Sequence, residues 1–410
     1  MKKVLSFILT FVFLSCSVPI VTYADGSFDS IDYKALSGTS LTVYNWGEYI
    51  SDGSEDSFDV ISEFEELTGI KVNYETYDSN ESMYAKLKSG ATNYDIIIPS
   101  DYMIQRLVAE DMLEQIDLNN IPNYKYIDDK YKGLFFDPEN KYSVPYTAGT
   151  VGIIYNTDIV KETPDSWDIL WNEDYIGKIL MINNPRDAFG IAQFLLGQSV
   201  NTQKEEEWYA ALQKLKEQKP LIKGYVMDEI FNKMESADAA IAAYYAGDFL
   251  TMYMQNPSLA FAYPKQESTN IFVDSVCIPK GAKNKAAAHM FINFLLEREV
   301  AIANAEYICY SSPCSNVYTD PEYIEYMTDI HPDAIEILYG HDKIETQYYE
   351  NLPTKSLALM NSLWEELKVD NTSSCDSVYI ASAVIVLSLS SLIVFSAIKK
   401  RRYRKSYENL

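Results

Sequence analysis

Short apolar strands alternate with amphipathic helices from Leu41 to Leu367, and this alternation limits the chain to an α/β architecture. Thr42–Trp46 reads as the first strand. Phe58, Ile61, Phe64 and Leu67 recur at helical spacing, and Gly69 suits a left-handed helix end. Ile70, Val72 and Tyr74 alternate with polar residues as a second strand. Met83–Ser89 reads as a helix, Tyr94–Ile98 as a strand stopped by Pro99-Ser100, and Tyr102–Glu110 as a helix. Further strands are expected at Val151–Tyr155, Ile179–Ile182, Ala239–Tyr245, Leu259–Tyr263 and Ile271–Ile278. Further helices are expected from near Ala188 and over Glu205–Gln218, Lys285–Arg298, Tyr323–Ile330 and Ser356–Leu367. The alternation predicts a parallel sheet with helices on its faces. About 350 residues exceed what one core usually holds, so two lobes are expected.

The two ends carry different signals. Lys2 and Lys3 precede an apolar run from Val4 to Leu14, and Thr22-Tyr23-Ala24 offers small residues for cleavage. Residues 1–24 therefore read as a secretory signal peptide. Cys16 raises the option of a lipoprotein, but Phe13-Leu14-Ser15-Cys16 is a poor lipidation box. Residues 25–40, rich in Ser, Asp and Gly, read as a flexible leader. Val378 through Ile398 carry no charge, and at ~1.5 Å per residue such a run reaches roughly 30 Å, one bilayer core. Lys399-Lys400-Arg401-Arg402 follows directly. The expectation is a transmembrane helix at 378–398, a basic cytoplasmic tail at 399–410, and everything between signal and helix outside the membrane.

The chain carries a formal net charge of −25, with 59 acidic against 34 basic residues. Such a field repels nucleic acid and concentrates cations, although it also suits any soluble extracellular domain. Cys309 and Cys314 flank Tyr310-Ser-Ser-Pro313 and are placed either to close a small disulfide loop or to stand as free thiols. Cys277 reads as a buried thiol.

In open α/β sheets, ligands bind beyond the carboxyl ends of strands. The strand ends here deliver Trp46, Glu48 and Tyr49; Ser100, Asp101 and Tyr102; Asn184 and Asp187; Tyr244 and Asp248; and Phe272 and Asp274. The set is aromatic and acidic, with Arg186 its only base. Aromatic faces beside carboxylates attract an organic cation. An anion receptor would instead offer arginines or Gly/Ser/Thr-rich helix starts. Each of these residues, taken singly, also fits ordinary core packing; for Tyr102 and Tyr310 that reading weighs as much as ligand contact.

The segments Tyr-Asn-Trp-Gly-Glu-Tyr at 44–49, Gly-Ile-Lys-Val at 69–72, Asn-Glu-Ser-Met-Tyr-Ala-Lys-Leu-Lys at 80–88, Tyr-Asp-Ile-Ile-Ile-Pro-Ser at 94–100, Phe-Val-Asp-Ser at 272–275 and Ile-Asn-Phe-Leu-Leu at 292–296 occur in this order. Over roughly residues 41–368 the chain resembles the extracytoplasmic spermidine/putrescine-binding proteins of polyamine ABC transporters. The resemblance implies a two-lobe, type II periplasmic-binding-protein-like fold closing around its ligand. Lobe 1 would take 41–148 and 275–330, and lobe 2 would take 149–274 and 331–370. Hinge strands would lie near Tyr146–Gly152 and Phe272–Ser275, with a third crossing after about residue 330. The family's aromatic box carries over onto Trp46, Tyr49, Tyr102, Tyr244, Phe272 and Tyr310. Its polar ligands carry over onto Ser100, Asp187 and Asp274, with Glu350 where the family places another. The family often has tryptophan at the positions of Tyr244 and Phe272, and Asn184 stands where close relatives have an aspartate. These departures bear on ligand preference rather than ligand class.

A polyamine suits this chemistry. Each ammonium needs an acceptor when desolvated, and each methylene run wants an apolar wall. The implied partners are a polyamine, ABC permease subunits and, through residues 378–398, the membrane; nucleic acid is not expected. No cofactor or metal is expected. His289, His331 and His341 form no helical metal pair, and neither a Ser-centred elbow nor a Gly-rich phosphate loop occurs, so an enzyme is the weakest reading. A receptor for another cationic or zwitterionic solute and a sensor ectodomain acting through a partner are the rivals. Arg186 beside Asp187 keeps a carboxylate-bearing ligand in play.

Overall fold

The computed structural model describes residues 32–369. Its strands, in chain order, are β1 (Ser40–Trp46), β2 (Lys71–Tyr77), β3 (Ile96–Ile97), β4 (Ser143–Asn156), β5 (Ile179–Ile182), β6 (Ile222–Val226), β7 (Ile241–Tyr245), β8 (Leu259–Ala262), β9 (Thr269–Cys277) and β10 (Thr346–Gln347). They join in the order β2-β1-β3-β9-β4-β7-β5-β6, with β8 on β4 and β10 on β9. The signal segment 1–24, the expected membrane helix 378–398 and the tail 399–410 lie outside the described residues. Among the described residues no helix is long and apolar enough to cross a membrane.

The expected parallel sheet is realised only at the two ends of this path. β1 is parallel to β2 and β3, and β5 is parallel to β6 and β7. The middle is antiparallel, because β9 opposes β3 and β4, and β4 opposes β7 and β8. Alternation along the chain reports local crossovers; it is blind to β9 returning across more than a hundred residues to β4. Both long strands serve both halves. β9 meets β3 at Cys277, while β4 runs on past its β9 contacts to pair with β7 and β8. All nine residues of β9 are buried. A bulge between Pro145 and Thr147 shifts the register so that Thr147 faces Asp274. Proline lacks the ladder donor, which favours such a break.

A third extended segment lies at this junction. Ala148 N–H donates to Ser311 O at 2.9 Å. This stands earlier in the chain than the crossing expected after residue 330. By Pro321–Ile330 the chain is already packed on helix Ala246–Gln255 of the second half.

Local signals acted as the chemistry demands. Asp59 caps helix Val60–Thr68 by accepting from Ser62 N–H, and Gly69 closes it at φ 72°. The helix expected over Lys285–Arg298 runs from Lys285 to Leu295, and a further helix that sequence reading did not expect, Arg298–Ile308, follows it. They break at Glu297, which is buried and accepts from the Tyr33 hydroxyl at 2.8 Å. Residues 32–39, expected within a flexible leader, are thereby anchored: Tyr33 is buried, and Gly38 N–H reaches Gly69 O at 2.9 Å. Cys277, Cys309 and Cys314 are buried free thiols, so the loop between Cys309 and Cys314 is closed by packing.

Candidate functional site

A cleft of about 830 Å³, partly open to solvent, lies where the two halves of the sheet meet. Its floor is set by β9. Tyr49 donates its phenol to Asp274 Oδ2 at 2.8 Å and lies 2.5 Å from Thr147 Oγ1. The second carboxylate oxygen, Asp274 Oδ1, is buried with no hydrogen-bond partner of good geometry. Burial pushes the Asp274 carboxyl up to about 6, and the Ser100 and Tyr49 hydroxyls oppose part of that rise. An unpartnered carboxylate oxygen in an aromatic cleft is costly unless a cation meets it.

Three helices begin at this cleft: Asp101–Ala109, Pro185–Leu195 and Ala246–Gln255. Bare helix N-termini attract anions. Here each first turn carries an acid, Asp101, Asp187 or Asp248, which reverses the sign of the field. All three acids line the cleft. Tyr245 donates to Asp187 Oδ2 at 2.9 Å, and Tyr310 donates to Asp248 Oδ2 at 3.0 Å. Burial raises Asp187 to about 6 and Asp248 to about 7, with those tyrosines opposing the rise. Asp101 is raised well above the usual carboxylate range, first by burial. It accepts from Tyr102 N–H at 2.7 Å and from Val273 N–H at 3.3 Å, tying the first half to β9.

The walls are rings. Tyr49 and Tyr310 meet edge to face with centroids 5.3 Å apart, Phe272 lies 6.2 Å from Tyr310, and Tyr245 lies 5.6 Å from Phe272. Trp46 is fixed through Nε1 to Ile98 O at 2.9 Å. Two glycines permit this packing. A Cβ on Gly149 would sit 2.5 Å from Phe272 Cζ, and one on Gly247 would sit 2.3 Å from Tyr310.

The structure brings eleven of the twelve sequence candidates to this cleft: Trp46, Glu48, Tyr49, Ser100, Tyr102, Asn184, Asp187, Tyr244, Phe272, Asp274 and Tyr310. Glu48 takes a left-handed φ of 50°, a conformation found at functional turns more often than elsewhere. Asn184 caps its helix by accepting from Arg186 N–H at 2.9 Å. Glu350 does not line the cleft. Its side chain is exposed, and the neighbouring Tyr349 takes the place instead. Met227 and Asp228 follow β6, a strand that sequence reading passed over because Ile-Lys-Gly-Tyr-Val holds a glycine and sits at the sheet edge. Tyr349 follows β10, only two residues long and too short for a period-two signal.

Arg186 is buried in the cleft wall. Its guanidinium donates to Val200 O, Asn201 Oδ1 and Glu350 O at 3.2, 2.9 and 3.3 Å. These bonds commit both terminal nitrogens to the protein itself. Its Nε is buried without a partner, so the guanidinium keeps one donor in the cleft wall among the acidic and aromatic groups. Among the described residues no cluster of His, Cys, Asp or Glu could hold a metal ion.

Comparison with known proteins agrees with this geometry. The model of the family "Bacterial extracellular solute-binding protein" matches residues 59–328. The "Spermidine/putrescine-binding periplasmic protein" of Salmonella typhimurium is 34% identical over 332 residues, covering 78% of this chain and 92% of that one. The putrescine-binding periplasmic protein PotF of Escherichia coli is 29% identical over 303 residues, covering 69% and 80%. Among solved structures, PotD of Streptococcus pneumoniae, described as a spermidine/putrescine ABC transporter substrate-binding protein, is 36% identical with a TM-score of 0.66. It covers 80% of this chain and 98% of that one. The chain belongs to the bacterial extracellular solute-binding proteins and is a binding protein rather than an enzyme.

Proposed function

We propose that this chain binds a polyamine, spermidine or putrescine, in the cleft and delivers it to the permease of an ABC importer. The observation that carries this reading is Asp274, a buried carboxyl that lines a cleft walled by aromatic rings and is held by the Tyr49 and Ser100 hydroxyls. Three further acids at helix starts support it. The named relatives bind spermidine and putrescine, or putrescine. Asp274, Asp187 and Asp248 would each take an ammonium. Trp46, Tyr49, Tyr102, Tyr244, Phe272, Tyr310 and Tyr349 would wall the methylenes, with Glu48, Ser100 and Asn184 completing the polar contacts. The two lobes would be 41–148 with 275–330, and 149–274 with 331–370, except that the third crossing would fall near Ser311 rather than after about residue 330.

Titration of the protein against spermidine, putrescine, thiamine and acidic amino acids tests this. The polyamines are expected to give heat and to raise the melting temperature, with ~2.7 kcal/mol of stabilisation at a hundredfold excess over Kd. A response to the amino acids with none to the polyamines refutes the reading.

We also propose that residues 378–398 span the membrane and leave 399–410 in the cytoplasm. The uncharged run and the basic cluster after it support this. A tether would hold the receptor at high effective concentration near its permease. The tail is then protected from protease added to intact cells, while an epitope inserted in 25–31 is labelled from outside. Labelling of the tail instead of the epitope refutes it.

A further inference from the structure

The segment Gln347–Asn351 touches both halves of the molecule, although it leads into only one. It follows β10, and it leads into helix Thr354–Val369, which packs on helix Glu205–Gln218 of the second half. Five hydrogen bonds hold it to that half or to β9. Val200 N–H donates to Gln347 Oε1 at 3.4 Å, and Asn270 Nδ2 to Gln347 O at 3.2 Å. Asn201 donates through Nδ2 to Tyr348 O at 2.9 Å and accepts at Oδ1 from Glu350 N–H at 2.8 Å. Arg186 donates to Glu350 O and also to Asn201 Oδ1, so it braces both the segment and its holder.

The opposite side of the segment meets the first half at three points. Tyr348 lies 5.4 Å from Phe135, centroid to centroid. Tyr349 meets Tyr102 edge to face at 6.5 Å. Asn351 N–H donates to Gln105 Oε1 at 2.6 Å. Chain connectivity imposes none of these contacts, because the segment starts on β9, the strand both halves share, and leads into a helix packed on the second half. They are contacts between the halves rather than within one. The same segment delivers Tyr349 into the cleft wall, where the Arg186 guanidinium stacks 4.5 Å over its ring.

We propose that Gln347–Asn351 is a latch between the halves, caught by Gln105 and set in place by Arg186 as its positioning residue. The latch couples occupancy to closure, since the segment that reaches Gln105 also presents Tyr349 to the ligand. Its bearing on ligand residence rests on the cleft being the binding site for a polyamine; its bearing on closure does not.

Hydrogen–deuterium exchange of the full chain, without ligand, reads the latch directly. Gln105→Ala removes the acceptor at a partly exposed position, and Arg186→Gln removes the brace. Both are expected to raise exchange at least fivefold over peptides spanning 347–352 and also over 101–109. Spread to 101–109 is the mark of opening rather than of one lost bond. With spermidine as probe, Gln105→Ala is expected to raise the dissociation rate about tenfold, with the association rate within twofold and the ligand-free melting temperature nearly unchanged. Should Arg186→Gln fail to fold, Gln105→Ala alone decides. Exchange confined to the Asn351 amide, or a dissociation rate within twofold of the parent, overturns the latch. If the parent protein takes no spermidine, the polyamine reading fails and the exchange experiment still decides the latch.

Discussion

Tyr49 and Asp274 are joined by a 2.8 Å hydrogen bond that takes up Oδ2 of a carboxyl lining the cleft and leaves Oδ1, itself buried, to other partners. The bond orients the acid and spends no more of it than orientation needs. Tyr49 arrives from the loop after β1, and Asp274 from the strand shared by both halves. A ligand at Oδ1 would therefore read the relative placement of two elements more than two hundred residues apart.

Asp274→Asn tests that relationship. Size and the Tyr49 contact can persist, while the charge is lost. Truncating one partner of a buried charge pair costs ~2–5 kcal/mol of affinity. Spermidine affinity is expected to fall by that amount, with circular dichroism unchanged and the ligand-free melting temperature not lowered, because a buried charge has been removed. An affinity within threefold of the parent takes Asp274 out of the site.

Proton release should accompany binding. Burial holds Asp248 at about 7 and Asp187 and Asp274 at about 6, each raised from an ordinary 3.8. The folded protein thus keeps protons that the unfolded chain has already lost. The stability these groups contribute is complete below pH about 4 and is lost as pH rises through about 6 to 7. An ammonium requires the carboxylate form, so affinity is expected to weaken as pH falls from about 7.5 to about 5.5. Calorimetry at about pH 6.5, in buffers of different ionisation enthalpy, should show net proton release. Affinity that stays flat across this range would remove the three acids from direct contact with the cation.

Gly247→Ala probes the aromatic wall. Its Cβ would meet the Tyr310 ring at 2.3 Å and the Cys309 carbonyl oxygen at 2.9 Å. The ring could turn aside, but the carbonyl is main chain at the junction of the halves. Overpacking of this kind costs ~1–3 kcal/mol. The substitution is expected to lower the melting temperature and weaken polyamine binding together. Unchanged binding in a destabilised protein would place Tyr310 in the core rather than in the site.

How much of this was legible follows from the range of each signal. The loop after β1 could be read because an apolar run ends abruptly in Trp46, Glu48 and Tyr49, all close in sequence. Asp248 was visible as a strand-end acid, but the helix Ala246–Gln255 that makes it a first-turn acid was not, since Gly247 is a poor helix former at its start. Tyr349 carried no local signal at all: its strand is two residues long and its position depends on Arg186 and Asn201, far away in the chain. The antiparallel middle of the sheet was hidden for the same reason. Periodicity describes an element, and only tertiary pairing says which way its neighbour runs.

Asn184 offers the sharpest test of selectivity. It lines the cleft, and its Oδ1 is already occupied as the cap of helix Pro185–Leu195, accepting from Arg186 N–H at 2.9 Å. Oδ1 keeps a second lone pair that can accept from an ammonium, but Nδ2 is a donor and the amide has no charge to balance one. Aspartate caps a helix as well as asparagine does, so Asn184→Asp should keep the fold while exchanging that donor for a carboxylate oxygen. Asp187 and Asp228 line the same cleft, and their like charge opposes the new acid in the empty protein. Spermidine carries three ammonium groups and putrescine two, so a further carboxylate has more positive charge to meet in spermidine. The gain for spermidine is expected to exceed that for putrescine by about 1 kcal/mol after desolvation losses. Titrating both ligands against both proteins closes a thermodynamic cycle in which fold effects cancel, because each protein serves as its own reference. An equal change for the two polyamines, or a larger gain for putrescine, would show that position 184 shapes the cleft without counting charges.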